Sequence, residues 1–392
     1  MMRVILAAGP AVLALLSSLP AVAQEAAPPQ PPLTVSGSYR LDLVGVAADG
    51  RAMRATGLDD LFVEADADLD RLAGWQGARL HVDVLNNLGG RPNDRAGTLQ
   101  GIDNIEVAHP RLRLFQAWIE QSLGKATSLR AGLYDLNSEF YSNDAAALLI
   151  QPAFGVGSEI AATGTNGPSI FPITALALRI EHRVGAGGFV RAAAINATAG
   201  VIGDRHGSAF DFHHGALLIG EAGVERHGAK IALGAWGYTQ RQDDIAATDA
   251  GGDPIRRAAH GAYLIAQTAL NDPDGRFATS LFVRAGISDG HTTPFKGGWQ
   301  AGLLATHIFP GRPDSQLSIG AQHAEIARGY RDALRSGGTQ AADNEHAVEL
   351  TYSDKPARFL TLQPDLQLVW NRGGDARADR VTVATLRVTL EY

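Results

Sequence analysis

The last eight residues of the sequence, Thr385-Leu386-Arg387-Val388-Thr389-Leu390-Glu391-Tyr392, alternate polar and apolar side chains without a break. In an extended strand successive side chains point to opposite faces, so the apolar residues of this stretch share one face and most of its polar residues share the other. The stretch also ends on an aromatic side chain. It predicts an amphipathic β-strand, which fits either a soluble β-sandwich or the wall of a membrane barrel.

The same two-residue alternation returns along most of the chain, in about sixteen segments whose charged residues keep to one face. In a soluble domain the apolar face would turn inward, whereas in an outer-membrane barrel it meets lipid and the polar face lines a lumen. An even number of strands near sixteen is usual for bacterial barrels. The sequence predicts an all-β fold, a transmembrane antiparallel up-and-down β-barrel. After a first strand that begins at Leu33, its strands are predicted near residues 59–70, 76–88, 111–123, 127–135, 174–184, 187–199, 213–226, 228–241, 258–270, 276–289, 295–308, 313–327, 343–353, 359–371 and 379–391.

The polar face of residues 59–70 bears on the choice between the two environments. It carries four carboxylates on one side of a single strand, those of Glu64, Asp66, Asp68 and Asp70. Neighbouring carboxylates repel one another in a dry core and need water or cations around them. The face therefore requires a wet surrounding, which a barrel lumen provides.

The amino-terminal end has the order of a secretory signal peptide. A positive charge at Arg3 is followed by an apolar run over residues 4–19 and by Ala21-Val22-Ala23 as a small-residue cleavage site. We predict a signal peptide at residues 1–23, a proline-rich leader at 24–32 that cannot join a sheet, and a barrel domain at 33–392. No later stretch approaches the ~18 consecutive apolar residues that a helical span needs, so a membrane protein of this sequence crosses as strands.

The composition limits the partners that the protein can have. The chain carries a net charge of −7 at pH 7 and no run of five or more basic residues, which argues against a nucleic-acid partner. It contains no cysteine, so its stability must come from packing and hydrogen bonding, and a closed barrel supplies both. We expect no cofactor and no metal, since the histidines near residue 213, His206, His213 and His214 with Asp211, match no metal-site spacing.

The alternation fails between residues 136 and 172, which form the longest irregular stretch of the chain. Irregular stretches of more than ~15 residues inside a compact domain are usually functional or disordered. This one holds too many aromatic and aliphatic side chains for disorder, including Phe140, Tyr141 and a patch over residues 145–150. We expect it to fold into the barrel and narrow the lumen, although a loop that only caps the surface would have the same sequence character.

Four stretches resemble motifs of the carbohydrate-selective porins of the OprB family. They are residues 132–140 (GLYDLNSEF), 163–172 (TGTNGPSIFP), 360–371 (LTLQPDLQLVWN) with Gly373-Gly374 after it, and, more weakly, 309–314 (FPGRPD). Their order along the chain is the order in the family. The resemblance implies a monomeric outer-membrane barrel of about sixteen strands that passes small sugars into the periplasm by diffusion. Arg372 departs from the family, which often has proline beside the glycine pair.

In a porin, selectivity resides in a constriction lined by charged and aromatic side chains. A hydroxyl-rich solute gains there from fixed donors and acceptors that replace its hydration water. The irregular stretch supplies Glu139, Phe140, Tyr141, Asn143 and Asp144 as candidates. For any single charge on a strand, pairing with a neighbour across the sheet is the more ordinary role. The candidates on the lumen face are the donors Arg40, Arg79, Arg130, Arg179, Arg183, Arg284 and Arg387 and the acceptors Glu64, Asp66, Asp83, Glu181 and Asp365.

Two other functions remain open from the sequence. An outer-membrane barrel enzyme would share the fold, but the sequence has no Gly-x-Ser-x-Gly elbow. A soluble exported β-protein that binds glycans would share the strand pattern. We predict a porin in the bacterial outer membrane without enzymatic activity, whose partners are small sugars and outer-membrane lipid.

Overall fold

The computed structural model describes residues 31–205, 207–208, 210–272 and 275–392. The predicted signal peptide, most of the predicted leader and His206 lie outside these residues. The helices are short: α1 Leu69–Ala73, α2 Asn93–Ala96, α3 Ser158–Ala161 and α4 Arg328–Ser336. The strands are β1 Leu33–Ala47, β2 Arg54–Asp68, β3 Ala78–Gly89, β4 Leu112–Ser122, β5 Thr127–Tyr134, β6 Ala175–Val184, β7 Gly188–Asn196, β8 Ala216–Arg226, β9 Ala229–Tyr238, β10 Gln242–Thr248, β11 Pro254–Arg257, β12 His260–Ala269, β13 Ala278–Ser288, β14 Phe295–Thr306, β15 Gln316–Ile326, β16 Asn344–Ala357, β17 Leu360–Trp370 and β18 Val381–Glu391.

Sixteen of these strands form one closed antiparallel barrel. Each pairs with its neighbours in chain order, except that β9 pairs directly with β12 and leaves β10 and β11 as a separate two-stranded hairpin. The barrel closes where β1 meets β18, with Ser38 opposite Glu391 and Ala47 opposite Thr382. The predicted antiparallel barrel is confirmed, and each of its sixteen strands overlaps one predicted segment.

The two faces of the wall have the predicted character. In β13, Ile287 exposes 64% of its surface to the outside, whereas Arg284, three residues earlier, is completely buried on the inside. The closing strand follows the same rule, because Leu386 and Leu390 are exposed while Arg387 is buried. Apolar residues on the outer surface and charged residues inside are what a barrel surrounded by lipid requires. Among the described residues, no helix is long and apolar enough to cross a membrane.

The two ends of the barrel differ in their connections. At the end where β1 begins and β18 finishes, the connections are short, such as residues 123–126 and 358–359. At the other end most of them are longer, and two carry most of the structure inside the wall. We call residues 135–174, between β5 and β6, the first inner segment, and residues 90–111, between β3 and β4, the second inner segment.

Candidate functional site

The first inner segment is built from short turns that its own polar side chains stabilise. The carboxylate of Asp135 accepts a hydrogen bond from the backbone N–H of Asn137 at 2.9 Å, at the start of a 3-10 turn over Leu136–Ser138. The amide oxygen of Asn143 caps the next turn by accepting from the N–H of Ala146, also at 2.9 Å. These side chains satisfy donors that a long strand or helix would have paired, so the segment remains compact without either.

One end of the first inner segment is attached to the wall through Glu139. The guanidinium of Arg179, on β6, donates to both carboxylate oxygens of Glu139 at 2.7 and 2.6 Å, and Arg130 on β5 lies 3.7 Å away. Burial opposes ionisation of this carboxyl, but Arg130 and Arg179 outweigh burial and hold the pKa of Glu139 below its ordinary value. The predicted candidates Arg130, Glu139 and Arg179 thus form one ion-pair network.

The neighbouring aromatic side chains fill the space between the segment and the wall. Phe140 and Tyr141 are completely buried. The Tyr141 N–H donates to Glu221 on β8 at 3.0 Å, and its hydroxyl donates to Glu159 at 2.7 Å. Burial raises the pKa of Glu159, which has little contact with water. Phe140 and Tyr141 were predicted to line the pore, but here they pack the segment against β7, β8 and β12 and present no face to a solute.

The other end of the segment is attached across the barrel. Arg284 on β13 donates to the backbone oxygens of Tyr141, Ala153 and Gly155 at 3.1, 3.0 and 2.8 Å. On β16 the carboxylate of Glu349 accepts from the N–H groups of Ile150 and Gln151. The segment therefore bonds to inward side chains from β6 round to β16 and lies within the ring of strands.

The second inner segment is held in the same way on a different sector. Glu345 on β16 accepts from the N–H groups of Leu99 and Gln100 at 2.8 and 3.0 Å. The Gln367 side chain donates to the Ile102 carbonyl at 2.9 Å. The two segments meet where the Ser158 hydroxyl donates to the Gln100 side-chain oxygen at 2.6 Å. The sequence did not predict that residues 90–111 bond to inward side chains of the barrel.

The remaining predicted charges divide into buried pairs and exposed groups. Arg387 donates to both oxygens of Asp42, and Arg183 pairs with Glu181 at 2.7 Å. Asp83 and Asp66 contact the two ring nitrogens of His81. The structure thus pairs most of these residues with wall neighbours and does not gather them at one point. Asp365 is buried beside Gln367, Asn143 is buried, and Glu64, Arg79 and Asp144 are exposed.

A cavity of about 460 Å³ lies between the two inner segments and the β1–β4 wall. Its lining includes the inward residues Arg40, Phe62 and Phe115, together with Phe171 of the first inner segment. The three phenylalanines were not among the residues predicted from the sequence, although one signal was present. Phe62 lies on the charged face of β2, between Asp60 and Glu64, where an amphipathic barrel strand would have a polar residue.

Known proteins provide comparisons for most of the chain. The sequence profile of the carbohydrate-selective porin, OprB family, matches residues 53–392. Porin B of Pseudomonas aeruginosa is 23% identical over 89% of this chain and 86% of its own length. The structure of Pseudomonas putida OprB at high pH superposes with a TM-score of 0.80 and 21% identity, over 92% of this chain and 94% of that one. The outer membrane channel DcaP of Acinetobacter baumannii gives 0.58 at 11% identity, over 92% and 97%. At these sequence identities the structural similarities show a shared fold.

Proposed function

The chain belongs to the carbohydrate-selective porins of the OprB family, and from that premise we propose that glucose-sized sugars diffuse through a constriction formed by its two inner segments. Family and fold place the protein in the bacterial outer membrane, as a channel rather than an enzyme. The soluble glycan-binding alternative does not fit a barrel whose apolar side chains face outward.

The observation that carries the proposal is the span of the first inner segment. Its hydrogen bonds reach Arg179 on β6, Arg284 on β13 and Glu349 on β16, which supports a segment that crosses the lumen over one that only covers the mouth. A sixteen-stranded wall alone would enclose a wide aqueous channel. With the lumen divided in this way, a solute must lose part of its hydration to pass, and selectivity for hydroxyl-rich solutes becomes feasible.

The charged residues predicted to line the pore have two different roles in this proposal. Buried arginines such as Arg179 and Arg284 hold the first inner segment in place, because their donors are committed to it. Charges with exposed surface, such as Glu64 and Arg79, border the water-filled parts of the lumen and contact passing solutes. We propose a monomer, since the path is complete within one chain.

The experiment is a liposome swelling assay with the purified, detergent-extracted protein. We expect glucose to enter faster than uncharged non-sugar solutes of the same size. Equal rates for all such solutes would remove selectivity from the proposal, and no swelling would remove transport.

Two variants test the constriction itself. Glu139→Gln and Arg179→Ala both weaken the attachment of the first inner segment, and we expect faster, less selective swelling from each. Glu325→Gln is the matched control, because its carboxylate lies on the outward face of β15 and pairs with exposed Lys296. Native selectivity in both constriction variants would place the narrow point elsewhere.

A further inference from the structure

Four flat side chains form one stacked row on the outer face of the barrel, across β14 to β17. In the strand register Trp299 lies opposite His323, His323 opposite His346, and His346 opposite Trp370. Neighbouring ring centroids are 5.9, 6.5 and 5.3 Å apart, and the planes of these pairs differ by 8°, 26° and 9°. We call these four residues the outer ring row.

The outer ring row lies near the end of the barrel that has the longer connections. Trp370 is the last residue of β17, and His346 lies close to the start of β16. Longer connections face the outside of the cell in bacterial barrels, so the row lies at the level of the outer leaflet. Gln322 and Ala347, which flank the two histidines along their strands, are buried inside, so the row itself faces lipid. Tryptophan alone is ordinary at this level, but two stacked imidazoles between tryptophans are not needed for anchoring.

The outer ring row presents N–H donors that the protein itself does not pair. Among the described residues, the ring nitrogens of both tryptophans and of His323 have no hydrogen-bond partner. His346 Nδ1 lies 2.9 Å from the side-chain oxygen of Asn344, which also accepts from the Asn371 side chain at 3.2 Å. His346 therefore donates through Nδ1 and keeps Nε2 free. Because an indole N–H can only donate, the row suits a group that is rich in acceptor oxygens.

A groove of about 630 Å³ on the same outer face begins at the Trp299 end of the row. Trp299 and His323 both line it, and so does Ala285, which lies directly opposite Trp299 in the register. The small side chains of Ala262 and Ala285 leave a depression beside larger exposed ones such as Leu264. The row and the groove are therefore continuous. Together they fit an amphiphile whose apolar tail lies in the groove and whose polar head meets the row.

We propose that the outer ring row and its groove bind the phosphorylated, acylated glucosamine disaccharide of the outer leaflet, lipid A. A phosphate takes the ring N–H groups and an acyl chain takes the groove. Hydrogen bonds to an ionised acceptor are roughly twice as strong as neutral ones, so a phosphate is the best partner for these donors. The apolar wall of a second copy of the chain would leave the same N–H groups unpaired, which is unfavourable away from water.

The nearest ion pair does not take part in this recognition. Glu325 also borders the groove, but Lys296 lies 3.0 Å from its carboxylate, so the two side chains add no net charge. Recognition of the phosphate therefore belongs to the rings. The inference is independent of the proposed passage of sugars, because the row lies on the opposite side of the wall from the lumen.

The test is native mass spectrometry of the detergent-extracted protein at pH 7 with three lipids: diphosphoryl lipid A, the same lipid without its phosphates, and phosphatidylglycerol. We expect the native protein to bind diphosphoryl lipid A most tightly. His323→Phe keeps a flat ring in the stack and removes its N–H, so it should raise the Kd for diphosphoryl lipid A roughly three- to tenfold. Its Kd for the dephosphorylated lipid should not change. Ala285→Phe fills the groove and should weaken binding of both forms of lipid A alike.

The matched control is His182→Phe, which makes the same change at an exposed outward histidine of β6 near the end with short connections. It should bind all three lipids as the native protein does. Native single-channel conductance in each variant shows that its barrel is folded. Native affinity for diphosphoryl lipid A in His323→Phe overturns the inference, and so does equal affinity of the native protein for the three lipids. Native dimers that His323→Phe separates into monomers would assign the surface to a second copy and overturn it too.

Discussion

The inner wall has two sectors that differ in exposure: a buried sector from β6 to β16 and an open sector over β1 and β2. From β6 to β16, inward side chains such as Phe189, Tyr263 and Arg284 are almost fully buried under the first inner segment. Over β1 and β2, Arg40 and Phe62 remain partly exposed at a cavity. Both sectors follow the same two-residue alternation. The comparison teaches that strand pattern decides which residues point inward, whereas the docking of the inner segments decides which of those residues can meet a solute.

The largest effect is expected on the buried sector, from Arg284→Ala. The change leaves three backbone carbonyls without their donor, and each buried polar group left unpaired costs about 1–3 kcal/mol. Docking of the first inner segment should therefore weaken by about 3 kcal/mol or more. Single-channel conductance should increase, and protease should cleave within residues 140–155.

Arg328→Ala is the control for that change, because the Arg328 side chain is 88% exposed and pairs with Asp332 within helix α4. It should preserve native conductance and protease resistance. If Arg284→Ala also keeps native conductance and protease resistance, Arg284 does not hold the first inner segment in place.

A smaller loss is expected from Glu349→Ala on β16. The carboxylate accepts from the N–H groups of Ile150 and Gln151, so its removal should weaken docking by about 2 kcal/mol. Hydrogen exchange at Ile150 and Gln151 should accelerate while the strand amides of β16 stay protected. Unchanged exchange at both amides would mean that Glu349 does not anchor the segment.

Acid should weaken the anchor at Glu139. Its pKa is lowered in the folded protein, so its stabilising contribution is present above the pKa of the unfolded chain and is lost as the pH falls through the folded value. The stability difference between the native protein and Glu139→Gln should therefore be full at pH 7 and should decline below about pH 4. Thermal unfolding in detergent at several pH values measures this difference. A difference that is constant down to pH 2 would contradict the ion-pair assignment.

The smallest stability effect is expected on the open sector, from Arg40→Gln. Because the side chain is partly exposed and loosely paired, unfolding stability should change by less than about 0.5 kcal/mol. Removing a positive charge beside the pathway should still shift ion selectivity toward cations. The reversal potential under a KCl gradient measures that shift. A large stability loss with unchanged ion selectivity would mean that Arg40 holds the structure in place, as Arg284 does. The proposed difference between the two sectors would then be wrong.

The sequence was sufficient for the wall because strand alternation is a local property. It predicted about sixteen barrel strands, the outward direction of apolar residues such as Leu386 and the inward direction of Arg284. It also located the first inner segment, since a loss of alternation over many residues is visible without any knowledge of contacts.

Whether an inward residue is buried or exposed could not be predicted from the sequence, because burial depends on contacts between distant parts of the chain. Phe140 and Tyr141 have the composition of a solute site, yet they meet Glu221 and other wall residues and become core. The second inner segment has an ordinary loop sequence, and its docking depends on wall residues distant in the chain, such as Glu345 and Gln367. The β10–β11 hairpin and helix α4 were missed because they lie in connections where no alternation was expected.

The pairing of Ile150 with Glu349 also bears on how the protein reaches its native state. The two residues are 199 positions apart, so the amide of Ile150 has no partner until β16 has joined the sheet. Contacts of such separation form late and slowly. Until then the apolar stretch around Phe140 and Phe154 is uncovered, and a chain in transit is prone to aggregate. Closure of the wall must therefore precede complete docking of the first inner segment, whose apolar side chains stay uncovered until then.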